Sequence, residues 1–221
     1  MPYIKIFALC GTSGQVFDSI IYQGSTTELD PAMLTTFGHG ALVVPKLAER
    51  INEKNVLLIF DNYFSNYNLL QYLRNKNIYA MCTTRQNRFN KPPISSDKDM
   101  KNLGRGSTDH LISENGEVII TKWYDNKPVV LASNFLGSGK KDVCKRWDKT
   151  KKKYVEIERP EVIRVYNQHI EGVDKIDFLI TIYRTFIRSK NWTPHVCSYN
   201  RFSMYKCLDG VQEKIIAISC S

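Results

Sequence analysis

The chain has 221 residues, 43% hydrophobic and 24% charged, and its 31 lysines and arginines outnumber 22 aspartates and glutamates to give a net charge of +9. This composition is typical of a globular chain with one core and excludes a disordered or fibrous protein. No apolar run approaches the roughly 20 residues that a membrane-spanning helix needs, so we expect no integral membrane protein. The excess positive charge favours an anionic partner, most commonly nucleic acid.

The first 51 residues predict a hairpin, a loop and a helix. Two β-rich runs, Tyr3–Cys10 and Val16–Gln23, flank a Gly-Thr-Ser-Gly turn and predict a β-hairpin. The first run is too short for a signal peptide, so we expect an intracellular chain. Residues 24–40 are rich in Gly, Ser, Thr and Asp and predict a loop. An apolar stripe at helical spacing over Val44–Ile51 then predicts a helix, in which Pro45 is compatible only with the first turn.

A buried central strand is predicted next. The run Asn55–Asp61 is apolar on both faces and ends in a carboxylate, which is typical of a strand covered by helices on each side. Ser65 is the predicted N-cap of the following helix, and Ile78–Thr84 predicts another strand. The resulting order, β-β-loop-α-β-α-β, predicts a mixed α/β sheet flanked by helices.

The middle of the chain predicts a small β-rich insert and a basic stretch. Residues 85–109 predict a polar loop, and three short strands within 111–133 predict an antiparallel insertion. The stretch Lys140–Lys153 then carries eight basic residues against two aspartates, a net +6. With Trp147 and Tyr154 interleaved, it predicts either a phosphate-contacting loop with aromatic stacking or a solvated linker. Beyond it the pattern becomes helical.

Three aspartates are candidates for chemistry. Asp61 follows the central strand, where α/β sheets place their ligands, although an aspartate there also caps turns. Asp174 and Asp177 are spaced i, i+3 on a predicted helix and share a face, which is either functional or merely solvated. Together these carboxylates suit Mg²⁺ or Mn²⁺, which prefer oxygen ligands, and such ions support phosphoryl transfer.

Two long blocks resemble the piggyBac-type transposases and their domesticated relatives. They are FDNYFSNYNLLQYLRNKNIYAMCTTRQNR (Phe60–Arg88) and YNQHIEGVDKIDFLITIYRTFIRSKNW (Tyr166–Trp192), and KWYDNKPVVLAS (Lys122–Ser133) is similar to the inserted β-lobe of that family. With gaps, the resemblance runs from about residue 4 to residue 192. The resemblance implies a ribonuclease-H-like fold. It also implies an enzyme that cuts DNA at TTAA targets through hairpin intermediates, using an acidic triad and a divalent metal.

The resemblance assigns the acidic positions one by one. Asp61 matches the second triad aspartate, Asp174 the third, and Asp177 a further acidic position. Asp61 and Asp174 are therefore the expected catalytic residues, and all three are the expected metal ligands. The first triad aspartate is expected in a segment like L-C-D-S-x-T-G, but this chain has L-C-G-T-S-G with Gly11 in its place. Asp18 lies nearby but matches a non-catalytic position. Because a missing carboxylate removes a ligand shared by two metals, we expect impaired catalysis, with Mg²⁺ or Mn²⁺ as cofactor only if the chain is active.

Basic residues give the expected DNA contacts. On the predicted C-terminal helix, Arg184 and Arg188 are spaced i, i+4 and match the family's YR…RS-K positions, as does Lys190. The residues predicted to contact DNA are Lys145, Arg146, Lys151, Lys152, Lys153, Arg184, Arg188 and Lys190. The expected partner is double-stranded DNA, the expected compartment is the nucleus, and a homodimer is a further expected state.

The predicted organisation is a core interrupted by an insert. The expected parts are residues 1–90 (first part of the ribonuclease-H-like core), 91–158 (β-rich lobe with the basic loop), 159–192 (C-terminal core helix) and 193–221 (divergent tail). Neither the family's N-terminal region nor its cysteine-rich zinc module is visible, so we expect an isolated catalytic core. Three functions remain open: a DNA-binding remnant that no longer cuts, an active nuclease completed by Asp18 or another acid, and a non-enzymatic interaction domain.

Overall fold

The computed structural model describes residues 5–27, 29–51, 55–170, 175, 178 and 215–220. The strands are β1 (Ile6–Gly11), β2 (Val16–Ile21), β3 (Leu57–Phe60), β4 (Tyr79–Thr83), β5 (Thr108–Ile112), β6 (Ile119–Tyr124), β7 (Pro128–Ser133), β8 (Asp142–Asp148), β9 (Lys153–Arg159) and β10 (Ile215–Cys220). The α-helices are α1 (Pro31–Ala48), α2 (Tyr67–Asn75), α3 (Asp97–Leu103) and α4 (Glu161–His169). They form two units, one running to Phe64 and resuming at His169, the other spanning Ser65–Gln168.

The first unit contains a mixed sheet in the order β2-β1-β10-β3. Strands β1 and β2 pair antiparallel, which confirms the predicted hairpin, and β3 is the predicted buried strand. Strand β10 lies antiparallel to β1 and parallel to β3. The core of this sheet includes Phe7, Leu9, Leu58, Phe60 and Ile218, all of which are fully buried. No strand was predicted over Ile215–Cys220, because a short apolar run far from its partners carries no local pairing signal.

Helix α1 begins well before the predicted start, so the loop predicted over residues 24–40 is wrong from Pro31 onward. Asp30 is the N-cap, since its Oδ1 accepts the Ala32 N–H at 2.9 Å, and Pro31 occupies the first turn. Gly38 has φ +74° and kinks the helix. Pro45 consequently lies beyond the first turn of the segment after the kink, which contradicts its predicted position.

The second unit contains an antiparallel sheet in the order β4-β7-β6-β5, and its four strands lie near their predicted positions. The sequence assigns β4 to the core and the other three strands to an insert, whereas β4 pairs directly with β7. Helix α2 is also as predicted, but its N-cap is Asn66 rather than Ser65, because the Asn66 side chain accepts the Leu69 N–H at 3.3 Å. Helix α3 interrupts the predicted loop 85–109. Its N-terminus is capped by Ser96, whose hydroxyl accepts the Asp99 N–H at 3.2 Å.

The basic stretch forms neither a loop nor a linker. Strands β8 and β9 pair antiparallel as a separate two-stranded ribbon, joined by a turn over residues 149–152. Helix α4 follows, as predicted. Among the described helices, none combines the length and hydropathy needed to cross a bilayer.

Asn134 joins helix α2 to the sheet of the second unit. Its side-chain oxygen accepts the Ala80 N–H at 2.7 Å, and its side-chain nitrogen donates to the carbonyl oxygens of Leu70 at 3.1 Å and Ile78 at 3.0 Å. Asn134 and the three residues whose backbone it contacts are all buried. The Asn134 side chain thereby ties helix α2 and the start of β4 to the residue that follows β7.

Replacing Asn134 with Ala should therefore destabilise the chain strongly. The change removes three buried hydrogen bonds, each contributing about 0.5–1.5 kcal/mol, so the free energy of unfolding should fall by about 2–4 kcal/mol. Urea titration followed by far-ultraviolet circular dichroism measures it. Asn126→Ala, in the exposed β6–β7 turn, is the control and should change stability by less than about 0.5 kcal/mol. Equal losses in the two variants would contradict the assigned role.

Candidate nucleic-acid interface and the acidic positions

Asp61 caps the turn that follows β3. Its Oδ1 accepts the Tyr63 N–H at 2.8 Å, and its carbonyl oxygen accepts the Phe64 N–H at 3.3 Å. The side chain is half-buried. These contacts correspond to the turn-capping interpretation that the sequence left open, while a ligand role for Asp61 stays a prediction.

The turn that carries Asp61 is held closely on two sides. A Cβ atom at Gly40 of α1 would lie 2.7 Å from the Tyr63 carbonyl oxygen, so this approach requires a glycine. On the other side, the Lys5 Nζ lies 3.8 Å from the centroid of the Tyr63 ring, a cation–π contact. The Phe7 and Phe64 rings meet edge to face with centroids 5.7 Å apart. Asp61 therefore sits in a packed and well-defined turn.

The Gly11 position lies far from Asp61. In the strand register, Gly11 lies level with Leu58, whereas Phe60 lies level with Leu9. Asp61 follows Phe60 and thus lies three residues along the strands and two strands across the sheet from Gly11. With about 3.3 Å per residue and about 4.8 Å per strand, the two Cα atoms are about 14 Å apart. The reason is the direction of β10, which makes β1 and β3 run opposite ways so that they end at opposite edges of the sheet.

The described residues do not fit the two-metal arrangement implied by the resemblance. In such a site, an oxygen of each aspartate lies about 2.1 Å from the shared Mg²⁺. Two short aspartate side chains cannot bring their oxygens that close to one ion when their Cα atoms are about 14 Å apart. Gly11 also has no side chain to ligate an ion. Within the described part of the chain, no group of three His, Cys, Asp or Glu side chains comes together. The predicted positions Asp174 and Asp177 lie outside the described residues.

Asp18 is engaged away from Asp61. Its Oδ1 accepts the Ser19 N–H at 2.8 Å, and its Oδ2 lies 3.2 Å from Arg50 Nε. Both Asp18 and Arg50 line an open pocket of about 640 Å³. Asp18 lies level with Leu9 on edge strand β2, three strands away from β3. This placement weighs against Asp18 as a substitute for the first triad aspartate.

Those predicted DNA contacts that the structure describes all lie in the β8–β9 hairpin. The turn of this hairpin is held by Asp148. Asp148 Oδ1 accepts the N–H groups of Thr150 at 2.9 Å and Lys151 at 3.0 Å. The Lys151 backbone hydrogen bond is the main cause that lowers the pKa of Asp148 below its ordinary value. Lys152 adopts a left-handed conformation, with φ +47°. The turn and the first residue of β9 consequently present four exposed lysines: Lys149, Lys151, Lys152 and Lys153.

The inner face of the hairpin is fastened by ion pairs. Arg105 lies between Asp125, at 2.5 Å, and Asp148, at 3.6 Å. Arg146, a predicted DNA contact, directs its Nε toward Asp125 at 3.6 Å. Trp123, which is buried, donates its indole N–H to the Glu158 carbonyl oxygen at 2.8 Å. Arg146 thus helps to hold the hairpin in place, whereas Lys145 points to the exposed face.

The base of the hairpin is closed by a further ion pair. Arg159 donates to both carboxylate oxygens of Asp142, at 3.0 and 2.5 Å. The Arg159 hydrogen bond lowers the pKa of Asp142, and the same bond raises the pKa of Arg159. This bidentate pair keeps the ends of β8 and β9 in register.

The outer face of the hairpin carries an aromatic pair. Trp147 and Tyr154 are opposite one another in register, with ring centroids 5.2 Å apart and planes at 71°. They are 48% and 68% exposed. The strand register places these two rings side by side on a hairpin, while the predicted stacking of nucleic-acid bases on them stays a prediction. The remaining predicted DNA contacts, Arg184, Arg188 and Lys190, lie outside the described residues.

Comparison with known proteins gives consistent matches. A family model described as Transposase IS4 matches residues 3–200. Human PiggyBac transposable element-derived protein 3 is 34% identical over 159 residues, which are 71% of this chain and 27% of that protein. Human PiggyBac transposable element-derived protein 2 is 28% identical over 163 residues, covering 72% of this chain and 28% of that protein. The chain therefore spans about a quarter of the length of these relatives.

A solved structure shares the fold. In the cryo-EM structure of the piggyBac transposase synaptic complex with hairpin DNA, one chain matches with a TM-score of 0.67 at 19% identity, covering 92% of this chain and 39% of that one. The match confirms the predicted mixed α/β, ribonuclease-H-like fold. Because the family model covers most of the sequence and the relatives agree with it, this chain belongs to the piggyBac-type transposases of the Transposase IS4 family.

Proposed function

We propose that this chain is a transposase-derived domain that binds double-stranded DNA through the tip of the β8–β9 hairpin. The basic hairpin tip, defined as Trp147–Tyr154, carries four lysines against one aspartate, a net +3. That aspartate, Asp148, directs a carboxylate oxygen at the backbone of the turn, and Arg105 lies on its other side. The lysines are exposed, so they can neutralise phosphates and release counterions. The exposed lysine turn is the observation that carries this proposal.

We also propose that the chain does not cut DNA. The support is Gly11 at the position of the first triad aspartate and its separation of about 14 Å from Asp61 across the sheet. An active alternative requires Mg²⁺ or Mn²⁺ together with an acid from elsewhere in the chain, and Asp18 is paired with Arg50. A purely structural interaction domain is the outcome if DNA binding fails.

We extend the proposal to the cellular location and the oligomeric state of the chain. A chain that works on chromosomal DNA acts in the nucleus, and we extend the proposal to that location. A homodimer is also proposed, and sedimentation of the purified chain at several concentrations tests it independently of DNA. A single species with the mass of one chain would reject the dimer and leave the DNA proposal intact.

The salt dependence of binding should identify the contact surface. In Lys151→Gln/Lys152→Gln/Lys153→Gln, the slope of log K against log salt should flatten by up to about three units, because each phosphate contact contributes about 0.9. Fluorescence anisotropy of a labelled duplex at several salt concentrations measures the slope. Glutamine preserves side-chain length and removes only the charge.

A matched control removes the same charge elsewhere. Lys76→Gln/Lys98→Gln/Lys101→Gln neutralises three exposed lysines of the second unit outside the hairpin, and its slope should equal that of the parent chain. Equal flattening in both triple variants would move the contact surface away from the hairpin. No binding by the parent chain at low salt would reject DNA binding altogether.

Cleavage should be undetectable. Incubated with a TTAA-ended duplex or hairpin oligonucleotide in Mg²⁺ or Mn²⁺, the parent chain should yield no shortened strand on a denaturing gel. Gly11→Asp should not gain activity, because position 11 ends β1 at the opposite edge from Asp61. Robust cleavage by the parent chain that disappears in Asp61→Ala would overturn the proposal and establish an active nuclease.

A further inference from the structure

We infer that Trp147 and Tyr154 form a stacking platform for unpaired bases, so that the basic hairpin tip prefers DNA with single-stranded character to intact duplex. This inference rests on the proposed DNA binding and specifies the form of DNA that the same site takes. Exposed aromatic surface is unfavourable in water unless a partner covers it. Here two large rings, 48% and 68% exposed, adjoin the lysine-rich turn on its outer face.

Charge along the hairpin favours a polyanion at the tip and not at the base. Toward the base, the outer face carries Glu156 opposite Lys145, and Glu158 lies 2.9 Å from Lys141 Nζ. Acidic and basic groups there balance one another. Between the two aromatic residues, by contrast, the basic hairpin tip holds four lysines, and its one acid accepts backbone hydrogen bonds. A phosphate backbone therefore fits against the turn with its bases directed to the rings.

Only an unpaired base can use the platform. Stacking of a base on an aromatic side chain contributes about 1–3 kcal/mol as measured by alanine substitution, and it depends little on sequence. In a duplex, neighbouring base pairs already cover the faces of each base, and the backbone alone reaches the protein. The lysines should thus serve both forms of DNA, while Trp147 and Tyr154 serve the single-stranded form.

The two rings of the platform are ordered before DNA binds. The two rings already contact one another across the strands, and the turn beyond them is fixed by the Asp148 hydrogen bonds. On the inner face of the hairpin, Arg105 forms ion pairs with Asp148 and Asp125, and Trp123 donates a hydrogen bond to the backbone of β9. A platform that is ordered before binding loses little conformational entropy when a base stacks on it.

The test compares one labelled strand with its own duplex. Anisotropy titrations at equal salt use a mixed-sequence 16-nucleotide single strand, alone or annealed to its complement. For Trp147→Ala/Tyr154→Ala, affinity for the single strand should fall about 10-fold or more, and affinity for the duplex should change by less than about 3-fold. Trp147→Phe should retain most of the affinity for the single strand, since it keeps an aromatic face.

Two controls separate stacking from charge and from apolar contact. Val143→Ala alters another side chain of the same outer face, 59% exposed and without a π surface, and it should bind both DNA forms as the parent chain does. The glutamine triple variant at Lys151, Lys152 and Lys153 should weaken both forms. As a second readout, adding the single strand should quench tryptophan emission more in the parent chain than in Trp147→Phe.

The outcomes distinguish this inference from the proposal beneath it. If neither DNA form binds, DNA binding itself fails and the platform fails with it. If both forms bind and Trp147→Ala/Tyr154→Ala changes neither, DNA binding stands and the platform is wrong. Equal losses on both forms in that variant would make the aromatic pair structural. Competition by polyglutamate as effective as competition by single-stranded DNA would assign the surface to acidic proteins.

Discussion

The hydrogen-bond ladders of β10 determine the geometry of the first unit. This strand lies between β1 and β3 and pairs with both, antiparallel to one and parallel to the other. A strand inserted in this way satisfies the backbone groups of two neighbours at once. It also sets their relative direction, and through it the edge at which each ends. The separation of Gly11 from Asp61 therefore follows from backbone pairing and does not depend on which side chains occupy the two positions.

Sequence reasoning recovered the elements whose signals are local. The β1–β2 hairpin has a glycine-containing turn between apolar runs, and β3 is an uninterrupted apolar segment. Each of these elements can therefore be predicted from its local sequence alone. Strand β10 was missed because its pairing partners lie more than 150 residues away in sequence. The start of α1 was missed because Gly38 interrupts its pattern, although Asp30-Pro31 is an N-terminal capping signal that could have revealed it.

The β8–β9 hairpin shows why counting charges along the sequence locates a basic segment but does not predict which of its side chains are exposed. An alternating strand is recognised by polar residues outward and apolar residues inward, yet here Arg146 faces inward toward Asp125 and Trp147 faces outward. The inward arginine forms an ion pair with Asp125, which belongs to the β6–β7 turn, and no local sequence pattern reveals that contact. The same holds for the acidic positions: resemblance locates Asp61 and Gly11 in the sequence, while the strand register decides how far apart they lie.

The turn-capping role of Asp148 makes the shape of the hairpin tip insensitive to pH in the physiological range. The pKa of Asp148 is lowered from 3.8 in the folded chain, so ionisation of this carboxylate favours folding. For a lowered pKa, the stabilisation is fully present above the ordinary carboxyl value and is lost only as the pH falls through the folded-state value. Mild acidification of a cellular compartment leaves the turn unchanged, and ionic strength is then the variable to which the proposed interface responds.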